Sequence, residues 1–454
     1  MAKDMTAGNP TKLLLLFTLP VLFGNLFQNL YSIIDTVIVG QYLGVDALAA
    51  VGSTGSLTFI TIGLVTGTTS GFGILISQAF GARDEKHLRH YTAMSLYLCV
   101  AFSIIFTVLF LLLNKTILTW MNTPDTIFSN TYIYIGIIYL GFPVSIFYNM
   151  LAAIARALGD SRTPLYFLII SSVLNIVLDF LFVAILPFGV GGAAAATVIA
   201  QGISAILCCV YTWKKYPQIH FHKEDAQINW HSITSLLSMG IPMALQFSIT
   251  GIGTVIVQSA LNMFGATYIA AYSTSMKIQS FAIQFYPSLG VACATYSGQN
   301  YGAGRLDRVR LGVRKSMICS AVFSAFLMVL AHFFFASLLS LFVADPTGEL
   351  RQISYQFFHV NLWFYPLLGI IFIYRNTLQG IGNGLVPMLG GVAELIARAL
   401  VIFILAAPLG FFGILLADPV AWFSALIPLL PYYYWYMAKQ KKKERLKQGA
   451  SEIV

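Results

Sequence analysis

Two aspartates and an asparagine carry the clearest chemistry in this sequence. Asn175 and Asp179 lie four residues apart in Ser172-Val-Leu-Asn175-Ile-Val-Leu-Asp179, on one face of an apolar segment long enough to cross a bilayer. Asp35 occupies the first such segment. A carboxylate inside a membrane span is costly and by default faces the protein interior or a water-filled cavity, which makes it a functional-site hypothesis. Carboxylate and amide oxygens suit a hard cation such as Na+, and two carboxylates can instead share a proton. The reading is that Asp35 and Asp179, from separate helices, bind a coupling cation. The competing reading is that they cap neighbouring backbone or hydroxyl groups.

The elements that must position these acids are membrane helices. Of 454 residues, 58% are hydrophobic and only 9% charged, with a mean hydropathy of +0.79; an average soluble domain carries about 25% charged residues. The net charge of +9 does not signal nucleic acid, because Lys and Arg fall almost entirely in short loops on one side. The five cysteines lie in or at apolar segments without CxxC spacing, which argues against a disulfide or metal framework. Lys12 and the apolar run after it resemble a signal peptide, but no small-x-small site closes the run, so it reads as an uncleaved first helix.

Apolar runs of about 20 residues or more number twelve, at 13–40, 50–80, 91–113, 128–155, 164–186, 191–213, 232–262, 267–297, 316–343, 353–379, 385–407 and 411–437. Connections after even-numbered runs hold Arg83, Lys86, Arg89, Arg156, Arg162, Lys214, Lys215, Lys223 and five cations from Arg305 to Lys315; those after odd-numbered runs hold little beyond Lys115 and Arg351. The positive-inside rule then predicts a multi-pass plasma-membrane protein with both termini cytoplasmic. The basic tail run Lys439–Lys447 reads as a topology anchor that could also touch anionic lipid.

The chain also repeats itself. Leu19-Pro20 answers Ile241-Pro242, Gln78-Ala-Phe-Gly81 answers Gln299-Asn-Tyr-Gly302, and Pro143, Gly159 and Pro164 answer Pro366, Gly382 and Pro387, all at offsets of 221 to 223 residues. The expected architecture is all-α, with twelve transmembrane helices in two pseudo-symmetric six-helix lobes related by an axis along the membrane normal. Residues 1–215 form the first lobe, 216–230 a cytoplasmic linker, 231–437 the second lobe and 438–454 the tail. At these offsets Asp35 pairs with Ile256, Asp179 with Ile402 and Asn175 with Arg398. The second copy manages without the acids, so the scaffold does not require them.

The runs Asp35-Thr-Val-Ile-Val-Gly40-Gln-Tyr-Leu-Gly44-Val-Asp-Ala47, Gln78-Ala-Phe-Gly81-Ala82, Arg156-Ala-Leu-Gly159-Asp160-Ser-Arg-Thr-Pro164 and Leu174-Asn175-Ile-Val-Leu-Asp179 resemble the multidrug and toxic compound extrusion (MATE) family over roughly residues 12–437. The resemblance implies a two-lobe antiporter that exports organic, often cationic, compounds against inward Na+ or H+. In the branch it most resembles, the cation site lies in the N-terminal lobe, at positions matching Asp35, Asn175, Asp179 and Thr197, with Tyr134 matching less closely. Other branches place acids in the seventh and eighth helices, where this chain has none. Asp35, Asp179 and Thr197 each fall roughly 8–12 Å below the outer boundary at 1.5 Å per residue, so three helices bring oxygens to one depth.

Gln28, Tyr31 and Gln246 are polar positions expected to face a central substrate cavity, whose aromatic residues could hold organic cations. Glu394 and Arg398 suit an intrahelical ion pair, and Lys277 needs a partner or a wet cavity; these three read as a neutralised structural cluster or as substrate contacts, and Asp418 is ambiguous in the same way. Prolines 20, 143, 242, 287 and 366 fall within spans and favour bends. His220-x-His222 lacks further metal ligands, and there is no Walker A sequence for ATP hydrolysis. Expected partners are small organic cations, Na+ or H+ and the bilayer, for a monomer without cofactor, enzymatic activity or nucleic-acid binding. The alternative function is a lipid-linked oligosaccharide flippase, which would need a cationic cavity of which only Lys277 and Arg398 give a hint. An intramembrane transferase lacks its acid motif, and a channel fits two halves with acids in only one poorly.

Overall fold

The computed structural model describes residues 3–340 and 348–451, and the described residues form helices and short connections without strands. In order, the helices are Pro10–Leu43; Val45–Ser53 with Gly55–Gly81; Glu85–Trp120; Asp125–Leu140 with Phe142–Ala157; Arg162–Asp179 continuing as Phe180–Ile185; Gly189–Lys215; Trp230–Leu261; Ala266–Ala282 with Phe285–Gly302; Leu306–Ser340; Gly348–Gly380; Leu385–Leu409; and Phe411–Leu415 with Ala417–Ser451. These match the twelve apolar runs one to one, and the first to the twelfth are numbered by that order below. Residues 341–343 of the ninth run lie outside the described residues, as do 452–454 of the tail.

Several helices outrun their apolar cores because polar residues start or extend them. The third begins at Glu85, capped by the Asp84 carboxylate, which accepts from the His87 amide at 3.0 Å. The twelfth continues as helix through the tail lysines to Ser451. Among the described residues, ten helices are long and apolar enough to span a bilayer, and the fourth adds an eleventh as a pair bent by 47°. The eighth is interrupted between Ala282 and Phe285 and carries Lys277, Gln279 and Gln284, which lower its apolarity.

Proline acts differently from site to site. Pro143 cannot donate to the carbonyl of Tyr139 four residues back, and that carbonyl instead accepts from the Thr107 hydroxyl at 3.4 Å; the fourth helix breaks there, at Gly141. Pro287 falls in the first turn of Phe285–Gly302, where its missing donor costs nothing. Pro20, Pro242 and Pro366 stay inside unbroken helices.

Within each half the helices pack on one another, the first with the fifth, the fourth with the second and sixth, the seventh with the eleventh, and the tenth with the eighth, ninth and twelfth. The halves meet through the first, second, seventh and eighth helices. Glycines spaced by four on the second helix bring backbones together: a Cβ on Gly67 would lie 2.5 Å from the Ala244 Cα, and one on Gly71 2.6 Å from the Gly240 Cα. Toward the end bearing the basic connections, the repeated Gln-x-x-Gly motif acquires a purpose. Gln78 donates to the Gly380 carbonyl at 2.8 Å, and its counterpart Gln299 donates to the Ala157 carbonyl at 2.9 Å, a reciprocal tie between the halves.

The segment before the first helix is threaded into this tie. Lys3 N–H donates to Leu158 at 2.9 Å and Met5 N–H to the Gln299 side chain at 2.8 Å, while Asn300 and Arg308 donate to the Met5 carbonyl. Met5 is fully buried. Replacing Gln299 by leucine removes two of these bonds and leaves buried backbone groups unpaired, at about 1–3 kcal/mol each. The expected outcome is a shift toward a state open at the basic end, read as longer distances between spin labels on the two halves at that end.

Asp160 anchors the same end of the N-terminal half. Its carboxylate accepts from the amides of Arg162 and Thr163, the Thr163 hydroxyl, Lys215 at 2.7 Å and the Tyr216 hydroxyl. Burial alone would raise its pKa, but the bonds from Lys215, Thr163 and Tyr216 outweigh that and hold it at about 2. A carboxyl depressed on folding stabilises the protein fully above its unfolded pKa and loses that contribution as pH falls through the folded value. Asp160 is thus expected to contribute about 2 kcal/mol near neutrality, lost between about pH 4 and pH 2. Thermal melts of wild type and Asp160→Asn should differ at pH 7 and converge toward pH 2.

Candidate cation-binding site

Asp35 stands eight residues before the end of the first helix at Leu43, and Asp179 ends the regular part of the fifth. Tyr134 comes from the fourth helix and Thr197 from the sixth. Each lies within about two and a half turns of the end remote from the basic connections. A buried apolar group of Ile38, Val39, Ala47, Tyr134, Val183, Val190, Ala193 and Ala194 packs at this level and draws together the first, second, fourth, fifth and sixth helices.

Asp179 is fully buried, Asn175 and Tyr134 are buried, and Asp35 and Thr197 are half-buried. The first and fifth helices, which carry Asp35 and Asp179, pack directly on one another, and the first also packs on the turn that follows Asp179. Asn175 spends its amide donor on the Thr197 hydroxyl at 3.2 Å, and Thr197 donates in turn to the Ala193 carbonyl at 3.2 Å. That orientation leaves the Asn175 carbonyl oxygen as an acceptor. Asp35 Oδ1, both oxygens of Asp179 and Asn175 Oδ1 are buried with no hydrogen-bond donor, and among the described residues no Lys, Arg or His pairs with either acid. Four buried oxygens, two of them on one carboxylate, therefore keep lone pairs free, the chemistry that a hard cation or a shared proton requires.

The fifth helix changes character at this point. Phe180–Ile185 is a π-turn, closed by the Leu186 N–H on the Leu181 carbonyl at 2.8 Å, and begins directly after Asp179. Such turns concentrate at functional sites. Gly192 of the sixth helix makes room for it, since a Cβ there would lie 2.9 Å from the Phe182 carbonyl. Nothing in the apolar run Phe180–Ile185 announces the turn.

The residues expected at a central cavity divide. Tyr31 is half-buried one turn before Asp35 on the first helix, and Gln28, a further turn back, is exposed. Gln246 is buried and accepts from Gln379 at 2.8 Å inside the C-terminal half. Glu394 and Arg398 form the expected pair at 3.5 Å, within a longer chain of alternating charge. Arg375 bonds to Glu394, and Arg398 reaches Asp418 at 2.9 Å. The four charges cancel, and all but Asp418 are at least 95% buried. Arg375 was readable as an intramembrane cation in the tenth run; Gln379 carried no signal. Lys277 stands apart and exposed.

The MatE family model matches this chain twice, over residues 20–181 and 242–404, with starts 222 residues apart, which is the internal repeat itself. The chain belongs to the multidrug and toxic compound extrusion family. Similar proteins include "Probable multidrug resistance protein YoeA" of Bacillus subtilis, 29% identical over 443 residues and 95% of each chain. "Probable multidrug resistance protein NorM" of Thermotoga maritima is 26% identical over 384 residues, 83% of this chain and 82% of its own. A MATE crystal structure in complex with MaL6 superposes with a TM-score of 0.89 at 20% identity, over 97% of this chain and 99% of that one. The twelve helices are therefore the two-lobed MATE fold.

Proposed function

We propose that this MATE chain is a multidrug efflux antiporter of the plasma membrane, exporting organic, mostly cationic, compounds in exchange for Na+ or H+. The observation that carries the reading is the Asp35–Asp179 pair with its buried, donor-free oxygens, which no Lys, Arg or His among the described residues neutralises. The names of the relatives support multidrug export. Asp35, Asp179 and Asn175 bind the cation, Thr197 orients Asn175, and Tyr31 and Tyr134 close the site. The empty pair is destabilised by like charge, so cation entry favours a different packing of the lobe. Drug and cation then disfavour one another, which couples their opposite movements. The basic end, tied by Gln78 and Gln299, is the cytoplasmic side with both termini; residues 1–215 and 231–437 are the moving lobes and 216–230 their link.

The repeat sharpens the contrast between lobes. At the position of Asn175 the C-terminal lobe carries Arg398, a permanent cation held by Glu394 and Asp418. A fixed guanidinium fills there the role that an exchangeable cation fills in the N-terminal lobe. The same pairing withdraws Arg398 from gripping phosphate, so the antiporter reading is favoured over a lipid-linked sugar flippase.

Ethidium efflux from proteoliposomes with Na+ and pH gradients imposed separately tests the proposal. Export driven by one gradient is the expected result and names the ion; export indifferent to both gradients contradicts antiport.

A further inference from the structure

We propose that the cleft between the first and fifth helices at the basic end binds the phosphate of an anionic phospholipid. A cavity of about 410 Å³ opens there, with Lys3, Arg162 and Lys215 in its wall. Its one acid, Asp160, is turned inward and saturated by five donors, including Lys215. Among the described residues, the side chains of Lys3 and Arg162 have no hydrogen-bond or ion-pair partner, and both are exposed. Three cations against one satisfied carboxylate leave the cleft positive. Arginine's fork suits phosphate in particular.

The rest of the wall selects a lipid over a soluble phosphate. Leu16 of the first helix and Tyr166 of the fifth line the cleft and are 39% and 54% exposed. Tyr166 lies one turn inside the start of its helix, the level at which aromatic residues meet the headgroup region. A headgroup phosphate at Arg162 and Lys3 would place glycerol and the first acyl carbons against Tyr166 and Leu16. Basic pockets between helices at membrane depth recognise anionic headgroups in this way.

Native mass spectrometry of the full-length protein, titrated with phosphatidylglycerol and phosphatidylcholine, tests this. Wild type is expected to retain one phosphatidylglycerol in preference to phosphatidylcholine. Arg162→Gln and Lys3→Gln should each weaken that retention about fivefold, the loss expected for one basic group at an anionic surface. Lys115→Gln, exposed near the opposite end of the third helix, should not, and unchanged melting temperatures would show that the variants fold. Excess glycerol 3-phosphate should fail to displace the lipid. Equal retention of the two lipids, or phosphatidylglycerol binding untouched by Arg162→Gln, would overturn the site. Displacement by glycerol 3-phosphate would overturn the lipid assignment in favour of a soluble phosphate.

Discussion

Asp35→Asn and Asp179→Asn are each expected to abolish the cation dependence of drug export while leaving the protein at least as stable as wild type. Linked sites typically shift one another's affinity by about 5- to 150-fold, and either substitution should bring that factor to about one. Asparagine keeps the shape and an oxygen but removes the charge that attracts the cation. It also removes the repulsion between a buried and a half-buried carboxyl, and replacing an uncompensated buried charge by a neutral amide of the same shape costs little stability. Because the acids act as one unit, Asp35→Asn with Asp179→Asn should be hardly worse than either alone. Thermal melts and gradient-driven dye export on the same preparations check both halves of the prediction. A purely structural role would instead show as lowered stability in step with lost export.

The second large effect is expected in the C-terminal lobe. Arg398→Met leaves Asp418 unpaired and Glu394 with Arg375 alone, in surroundings where breaking a buried ion pair costs about 3–5 kcal/mol. Adding Asp418→Asn removes the orphaned charge and should recover a large part of that loss, a coupling that a double-mutant cycle on melting temperatures reads directly. If the cluster is structural, the double variant should also regain dye export. A variant that is stable yet fails to bind dye would assign Arg398 to the substrate instead.

The membrane helices were legible because hydropathy marks them without reference to neighbours. Their ends were not, because Asp84 and the tail lysines extend helices through residues that hydropathy scores as loop. The acids stood out for a similar reason: a carboxylate such as Asp179 in an apolar run is expensive wherever the chain folds. Their convergence, and the line from Asn175 to Thr197 to Ala193, depend on how the first, fifth and sixth helices pack, which spacing along one helix does not encode. The Gln-x-x-Gly repeat was visible, whereas its use as a reciprocal tie to Gly380 and Ala157 appears only when the halves are seen together. Gln246 illustrates the limit of polarity as a guide: a buried amide inside a lobe and one facing a cavity look alike in sequence.

Equilibrium dye binding to the purified protein, titrated with Na+ and separately with pH, tests mutual exclusion at Asp35 and Asp179 most directly. The account predicts that the dye's Kd rises as the coupling cation is added to wild type, and that it stays flat in Asp35→Asn and Asp179→Asn. A wild-type Kd indifferent to both cations, or an unchanged dependence in the two variants, would contradict it.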